Sequence, residues 1–136
     1  MLGRFQMSIS PAPFDHSKKI VHRGGHMRYL MFVCVDPEAE TYVPEEDNLE
    51  DWVNEMDRRK VRILGNRLQG IEHATTVRRR NGKVLVTDGP FAETKEWIGG
   101  FDLLECTNLD EAVEVAAKHP MARFGRIEIR PFWWED

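Results

Sequence analysis

Four charged side chains that could do chemistry lie close together in one stretch of the sequence. Asp88 opens the segment Asp88-Gly89-Pro90-Phe91, and Glu93, Lys95 and Glu96 follow it. Such a cluster can hold a polar ligand, and a carboxylate in a cleft can also serve as a general base. We predict Asp88 as the candidate catalytic residue and all four as candidate ligand-binding residues. The alternative interpretation is an Asx-type turn, in which Asp bonds its own backbone and the charges that follow are solvated.

Two further charged residues belong to this candidate site. Asp102 stands between Phe101 and Leu103 in a strand-like run, so it points to the opposite face from these two apolar residues. A buried carboxylate is costly unless it is paired. We therefore expect Asp102 to line a cleft or to meet Arg126 or another cation, and we count both residues as candidate ligand-binding residues.

The elements that must position these residues begin with a strand and a helix. The apolar run 28–35 has no polar alternation, which is typical of a central strand. Leu49, Trp52, Val53 and Met56 then repeat at helical spacing and predict a helix over 47–60 whose Trp52 lies in the core. A second strand is predicted from 61 to 68, with Ile63 and Leu64 as its apolar centre.

A hairpin and a second strand–helix–strand unit follow. Asn81-Gly82 separates two β-prone runs, which predicts a two-residue type I′ turn with Arg80 opposite Lys83. A strand from 100 to 106 then leads to a helix capped by Asn108 and ended by His119-Pro120. We expect the apolar face of this helix, and a last strand over 126–130, to complete the core; the helix residues are Leu109, Ala112, Val113 and Ala116.

The order of these elements predicts an α+β fold. Two βαβ-type units around an inserted β-hairpin favour a ferredoxin-like βαββαβ sandwich, with two helices on one face of the sheet. We expect the domain to span residues 27–136. Residues 1–26 lack helical and strand periodicity and are predicted to be translated leader sequence, since codons for Gly24-Gly25-His26-Met27 can form a ribosome-binding site and start codon. The alternative is a genuine flexible arm.

Composition excludes several classes of protein. The 136 residues carry a net charge of −4, which argues against a general nucleic-acid binder, and no apolar run approaches the length of a membrane span. The run Arg78-Arg79-Arg80 has no interleaved aromatic residue, so nucleic acid is an improbable partner. No zinc-type or nucleotide-binding motif is present, and we predict neither a metal site nor a cofactor.

The two cysteines fit a reducing, cytoplasmic location. We expect Cys34 and Cys106 to be reduced and unreactive. If the first and third strands of the main sheet are parallel neighbours, the two residues lie close together at the strand ends.

The segment around Asp88 carries a family resemblance. Val86-Thr87-Asp88-Gly89-Pro90-Phe91-Ala92-Glu93-Thr94-Lys95-Glu96, followed by Gly99-Gly100-Phe101, resembles the signature of the DGPF proteins in the YciI-related (YCII) group. The resemblance extends over about 27–133. It implies membership of the dimeric α+β barrel superfamily, a homodimer, and a polar cleft near the Asp-Gly-Pro-Phe loop.

The resemblance also implies two functions of different classes. YciI-type members use a His–Asp pair for acid–base chemistry; Asp88 falls where that Asp is expected, but the predicted helix over 47–60 contains no histidine. We therefore expect either acid–base chemistry on a small metabolite or a non-catalytic ligand-binding or regulatory module beside an extracytoplasmic-function sigma factor. The sequence leaves open whether the chain is an enzyme. Exposed aromatic residues at 132–134 favour an interface, in agreement with the implied dimer.

Overall fold

The computed structural model describes residues 25–89 and 97–133. Its six strands and three helices form an α+β structure in which every pair of neighbouring strands is antiparallel. The order along the chain is β1 (Met27–Cys34), α1 (Leu49–Arg58), β2 (Arg62–Arg67), β3 (Thr75–Arg80), β4 (Lys83–Asp88), β5 (Ile98–Cys106), α2 (Leu109–Ala117), α3 (Met121–Phe124) and β6 (Arg126–Pro131).

The main sheet has four strands in the order β2-β5-β1-β6. The apolar run that predicted a central strand is β1, which pairs with β5 on one side and β6 on the other. The prediction that the two cysteines lie close together is wrong, because β1 and β5 are antiparallel: Cys34 pairs with Ile98 and Cys106 with Met27, at opposite ends of the two strands. Both cysteines are buried and neither is in a disulfide bond, and burial raises the pKa of the Cys106 thiol to about 12.

Alternate residues of the central strands build the core on one face of the sheet. Tyr29 and Met31 of β1 and Leu104 of β5 are almost completely buried. They pack with Trp52 and Met56 of α1, and with α2, in one apolar cluster, so both helices cover the same face. Trp52 is therefore a core residue, as predicted. Its indole N–H donates to the carbonyl of Val115 at 2.9 Å, which ties α1 to α2.

Two predicted apolar stripes differ from those observed. Val113 and Leu109 are exposed, because the buried face of α2 is formed by Ala112, Val115 and Ala116. Ile63 and Leu64 are likewise about half exposed, since β2 is an edge strand with one neighbour.

The N-cap of α2 was predicted correctly: the Asn108 side chain accepts a hydrogen bond from the Glu111 amide at 2.9 Å.

The inserted hairpin has the predicted register. Arg80 pairs with Lys83 across Asn81-Gly82, and both turn residues have positive φ, 52° and 77°, as a type I′ turn requires. β3 and β4 form a two-stranded sheet separate from the main one. The hairpin is therefore an accessory ribbon that adds no strand to the main sheet.

Candidate functional site

A cavity of about 570 Å³ lies between the main sheet and the helices. Its floor is the helix-facing side of β1, β2 and β5, near the carboxyl end of β1. Its walls come from the start of α1, from the α2–α3 junction and from the loop that follows β1. The polar side chains that line it are Tyr42, Asp47, Arg62, Asn66, Arg67, Asp102 and His119.

Two glycines make room in the cavity floor. Gly65 of β2 pairs with Asp102 of β5, and a Cβ at Gly65 would lie 2.0 Å from the Asp102 carboxylate oxygen Oδ1. Gly100 pairs with Arg67 in the same ladder, and a Cβ there would lie 3.0 Å from the carbonyl oxygen of Asn66. The missing side chains let the Asp102 carboxylate lie against β2 and leave the backbone at Gly100 bare.

Asp102 and Arg62 form a buried ion pair in this floor. Arg62 Nε donates to Asp102 Oδ1 at 2.8 Å, and a second guanidinium nitrogen donates to the Gly65 carbonyl at 3.1 Å. Burial raises the pKa of Asp102, and the Arg62 charge offsets only part of that effect. Burial lowers the pKa of Arg62, but Asp102 and the nearby Asp57 outweigh it and the net pKa is raised. Asp102 therefore binds a proton more readily than an ordinary aspartate does.

The second oxygen of this carboxylate, Oδ2, is not the one that Arg62 binds. Among the residues described by the structure, none donates a hydrogen bond to Oδ2 of Asp102. This oxygen lies in a residue that lines the cavity. Asp102 therefore combines a fixed, charge-balanced oxygen with one that can accept a proton or a hydrogen bond from a ligand.

His119 lies in the opposite wall and is 4% exposed. The Met121 amide donates to its Nδ1 at 3.0 Å, so we assign the ring proton to Nε2. The ring packs edge-on against Trp52, with the centroids 4.7 Å apart. Burial lowers the pKa of His119 to about 4, and the charge of Asp47 opposes this only in part. The imidazole is therefore neutral at pH 7 and presents an N–H donor.

Tyr42 and Asp47 occupy the loop side of the cavity. The Tyr42 hydroxyl donates to Asp47 Oδ2, and Asp47 Oδ1 accepts from the Leu49 amide at the start of α1 at 3.0 Å. The hydrogen bond to Asp47 raises the pKa of Tyr42, and the charge of Arg67 acts in the opposite direction. The phenol is therefore a neutral hydrogen-bonding group near the Arg67 guanidinium.

The structure places only part of the sequence-predicted site in this cavity. Asp102 lines it, but its cation is Arg62 and not Arg126. Arg126 instead forms an ion pair with Asp36 at 3.5 Å on the surface. Asp88 is exposed at the end of β4, paired with Thr75, and is not among the residues that line the cavity. Its proposed roles stay predictions, and the other candidates of the signature lie outside the described residues: Glu93, Lys95 and Glu96.

Several cavity residues have no local signal in the sequence. His119 is distant in sequence from the other histidines, and the sequence predicts it only as part of the end of a helix. Its proximity to Trp52 depends on how the two helices pack. Arg62 and Arg67 alternate with apolar or small residues at an edge strand, as many solvated cations do. The pairing of Gly65 with Asp102 becomes apparent only once the β2–β5 register is known.

Two kinds of site find no support within the described ranges. Residues 25–89 and 97–133 contain no group of three or more His, Cys, Asp or Glu side chains placed to hold a metal ion. None of the helices in these ranges has the length and apolar character needed to cross a membrane.

Comparison with known proteins agrees with the signature. A family model of the YCII-related domain matches residues 27–134, most of the chain. The chain belongs to the YCII-related family. A relative from Rhizobium meliloti (strain 1021), named Uncharacterized protein R00369, is 37% identical; the match covers 59% of this chain and 78% of the relative. The resemblance to YCII proteins is therefore confirmed.

Proposed function

We propose that this YCII-related domain catalyses proton transfer in a small carbonyl compound held in the cavity. The observation that carries the proposal is the pair of groups with opposite properties in one cavity. Asp102 is a carboxylate with a raised pKa, and His119 is a histidine kept neutral by burial. Titratable groups whose pKa values are perturbed by burial and by a specific charged partner in a cavity are typical of acid–base sites.

The chemistry assigns one role to each group. Oδ2 of Asp102 takes a proton from the carbon next to the carbonyl, and the C–H electron pair becomes the C=C bond of an enolate. His119 Nε2–H donates a hydrogen bond to the oxygen on which the negative charge develops. Return of the proton from Asp102 to the same or another carbon completes an exchange or an isomerisation. Arg62 holds the carboxylate in place through its 2.8 Å hydrogen bond.

The test is hydrogen exchange in heavy water, followed by proton NMR. The probes are 2-butanone, which is neutral, and levulinate, which carries a carboxylate. We expect the wild-type protein to exchange the α-protons of at least one probe above the buffer rate. Asp102→Asn should lower that rate by about a hundredfold or more, the usual contribution of a general base.

Asp57→Asn is the matched control. Asp57 is the other carboxylate near Arg62, at 3.4 Å, but its side chain is half exposed and does not line the cavity. The Asp57→Asn substitution should leave the exchange rate almost unchanged. An equal loss in both variants, or exchange that survives in Asp102→Asn, would contradict the assignment of the base.

The second candidate function is a non-catalytic ligand-binding or regulatory module. The observation that favours it is the position of Asp88: the signature carboxylate is exposed on the accessory hairpin, where it can meet a protein partner. A sigma factor encoded nearby is the partner implied by the family. Binding of the probes without any exchange would favour this function, and Asp88→Asn in the same assay tests the catalytic role predicted for Asp88.

We further propose that the chain adopts the ferredoxin-like topology and acts as a homodimer in the cytoplasm. The sheet order β2-β5-β1-β6, with both helices on one face, supports the topology. The opposite face carries two cross-strand apolar pairs, Leu30 with Leu103 and Phe32 with Phe101, which no helix of the core cluster covers. A second sheet packed on this face would bury them, as in a dimeric α+β barrel.

A further inference from the structure

Within residues 25–89 and 97–133, no carboxylate is paired with the Arg67 guanidinium, a cation that lines the cavity. Of the two arginines that line it, Arg62 is paired with Asp102. Within the described part of the chain, the Arg67 guanidinium has neither an ion-pair partner nor a hydrogen-bond acceptor. Other cations near the helices are paired; for example, Arg123 contacts Glu40 and Glu46. The charge of Arg67 is thus available to a ligand.

The strand register fixes where this charge lies. Arg67 pairs with Gly100, two residues along β5 from Asp102. Because side chains alternate along a strand, Arg67 and Gly65 belong to the same, helix-facing side of β2. The bare Gly100 leaves open floor beside Arg67. A ligand atom bound there lies about 7 Å along the sheet from the Asp102 position.

The lining also contains apolar side chains. These are Val33 from the floor, Leu49 and Val53 from α1, and Met121 from the α2–α3 junction. Such a lining takes up a hydrocarbon body, while the few polar groups fix its orientation. One unbalanced positive charge fits one negative charge, and the carboxylates of Asp47 and Asp102 disfavour a dianion.

We propose that Arg67 is the anchor for a carboxylate group, so that the ligand of this cavity is a small monocarboxylate with an apolar body. The inference rests on the cavity assigned in the proposed function and names its ligand class. A planar guanidinium binds a carboxylate through two parallel N–H···O hydrogen bonds. The anchored end then sets the distance between the body of the ligand and the Asp102–His119 groups.

The test uses benzoate and its neutral counterpart benzamide in a ¹H–¹⁵N NMR titration. We expect benzoate to shift the backbone amides of Gly99 and Gly100, which line the cavity, and to bind more tightly than benzamide. Arg67→Gln should weaken benzoate binding by about tenfold or more, the usual effect of losing a charge-assisted pair, and leave benzamide unchanged. Arg67→Lys should restore part of the affinity.

Arg130→Gln is the matched control, because it removes the same charge from an exposed position of the same sheet and does not line the cavity. Its benzoate affinity should equal that of the wild type. Three results would overturn the proposal: equal benzoate affinity in Arg67→Gln, no saturable shift of the two glycine amides, or tighter binding of phenyl phosphate than of benzoate.

The experiment separates this inference from the proposed function. Arg67-dependent benzoate binding in a protein that exchanges no protons would keep the anchor and reject the proton transfer. If the protein exchanges the protons of 2-butanone but its affinity for benzoate does not depend on Arg67, the proton transfer is kept and the anchor is rejected.

Discussion

At the scale of single residues, burial sets the properties of the cavity more than charge does. His119 is neutral because it is enclosed by Trp52 and the α2–α3 junction, and Asp102 keeps a raised pKa even with a guanidinium at 2.8 Å. These two environments push a base and an acid in opposite directions from their ordinary pKa values. For both residues, burial is the largest cause of the pKa shift.

The pKa of His119 makes a prediction about stability. Its value is about 4 in the folded protein, against about 6.5 in an unfolded chain. Between these pH values the unfolded state binds the extra proton, so the free energy of unfolding falls as the pH falls through this window. The loss should reach about 3 kcal/mol near pH 4. Urea unfolding of wild type and His119→Gln at several pH values measures it, and the variant should lose this part of the slope.

His73→Gln is the control for this measurement. His73 is well exposed at the end of a short 3₁₀ turn. Its replacement shows whether the loss of an exposed histidine alone changes the pH dependence of stability. If His119→Gln and the wild type lose stability in parallel between pH 6.5 and 4, the imidazole is not held neutral by burial.

At the scale of elements, the close approach of β2 to β5 depends on Gly65. A Cβ at this position would lie 2.0 Å from Asp102 Oδ1 and 2.7 Å from the Phe101 carbonyl oxygen. Gly65→Ala should therefore displace the carboxylate from Arg62 and lower the free energy of unfolding by about 3 kcal/mol, the scale of a broken buried ion pair. Thermal and urea unfolding measure this loss.

Gly99→Ala provides the comparison. Gly99 lines the same cavity, but its added Cβ would find its nearest atom at 3.8 Å, an ordinary contact. Its stability should stay close to that of the wild type. Similar losses in the two variants would mean that contact with Asp102 does not explain the effect, since the lower flexibility of the unfolded chain by itself makes a Gly-to-Ala variant more stable.

The elements also show what the sequence could predict. Local patterns identified all six strands, the two long helices, the Asn81-Gly82 turn and the Asn108 cap, because each depends on neighbours along the chain. They missed α3, and they placed Cys34 beside Cys106, since strand direction is decided by how distant segments pair. Of the predicted site residues that the structure describes, Asp102 lines the cavity. Other polar residues of the cavity, such as His119, reach it through tertiary packing, which local sequence patterns do not show.

At the scale of the whole molecule, the proposed dimer makes a prediction. Trp133 is 49% exposed after β6, and Trp134 follows it in the sequence. If these aromatic residues are part of the subunit interface, replacing both with alanine should raise the dimer dissociation constant, because they contribute large apolar area. Analytical ultracentrifugation over a range of concentrations gives that constant.

Val113→Ala is the control for a loss of exposed apolar surface elsewhere, since Val113 is 51% exposed on α2. It should leave the dissociation constant unchanged. A wild-type protein that sediments as a monomer at micromolar concentration would reject the dimer, and with it the interpretation of the Leu30–Leu103 face as an interface.

The central position of β1 has a consequence for how the protein is made. This strand leaves the ribosome first among the elements described, yet both of its partners are synthesised later, beginning at Ile98 and Arg126. Between the end of β1 and the start of β5 lie 63 residues, 35–97. At bacterial or eukaryotic elongation rates their synthesis takes roughly 3 to 13 s. Throughout that interval an apolar β-strand has no neighbour in its sheet. The nascent chain is therefore most vulnerable to aggregation during translation, before about the last third of the domain has been synthesised.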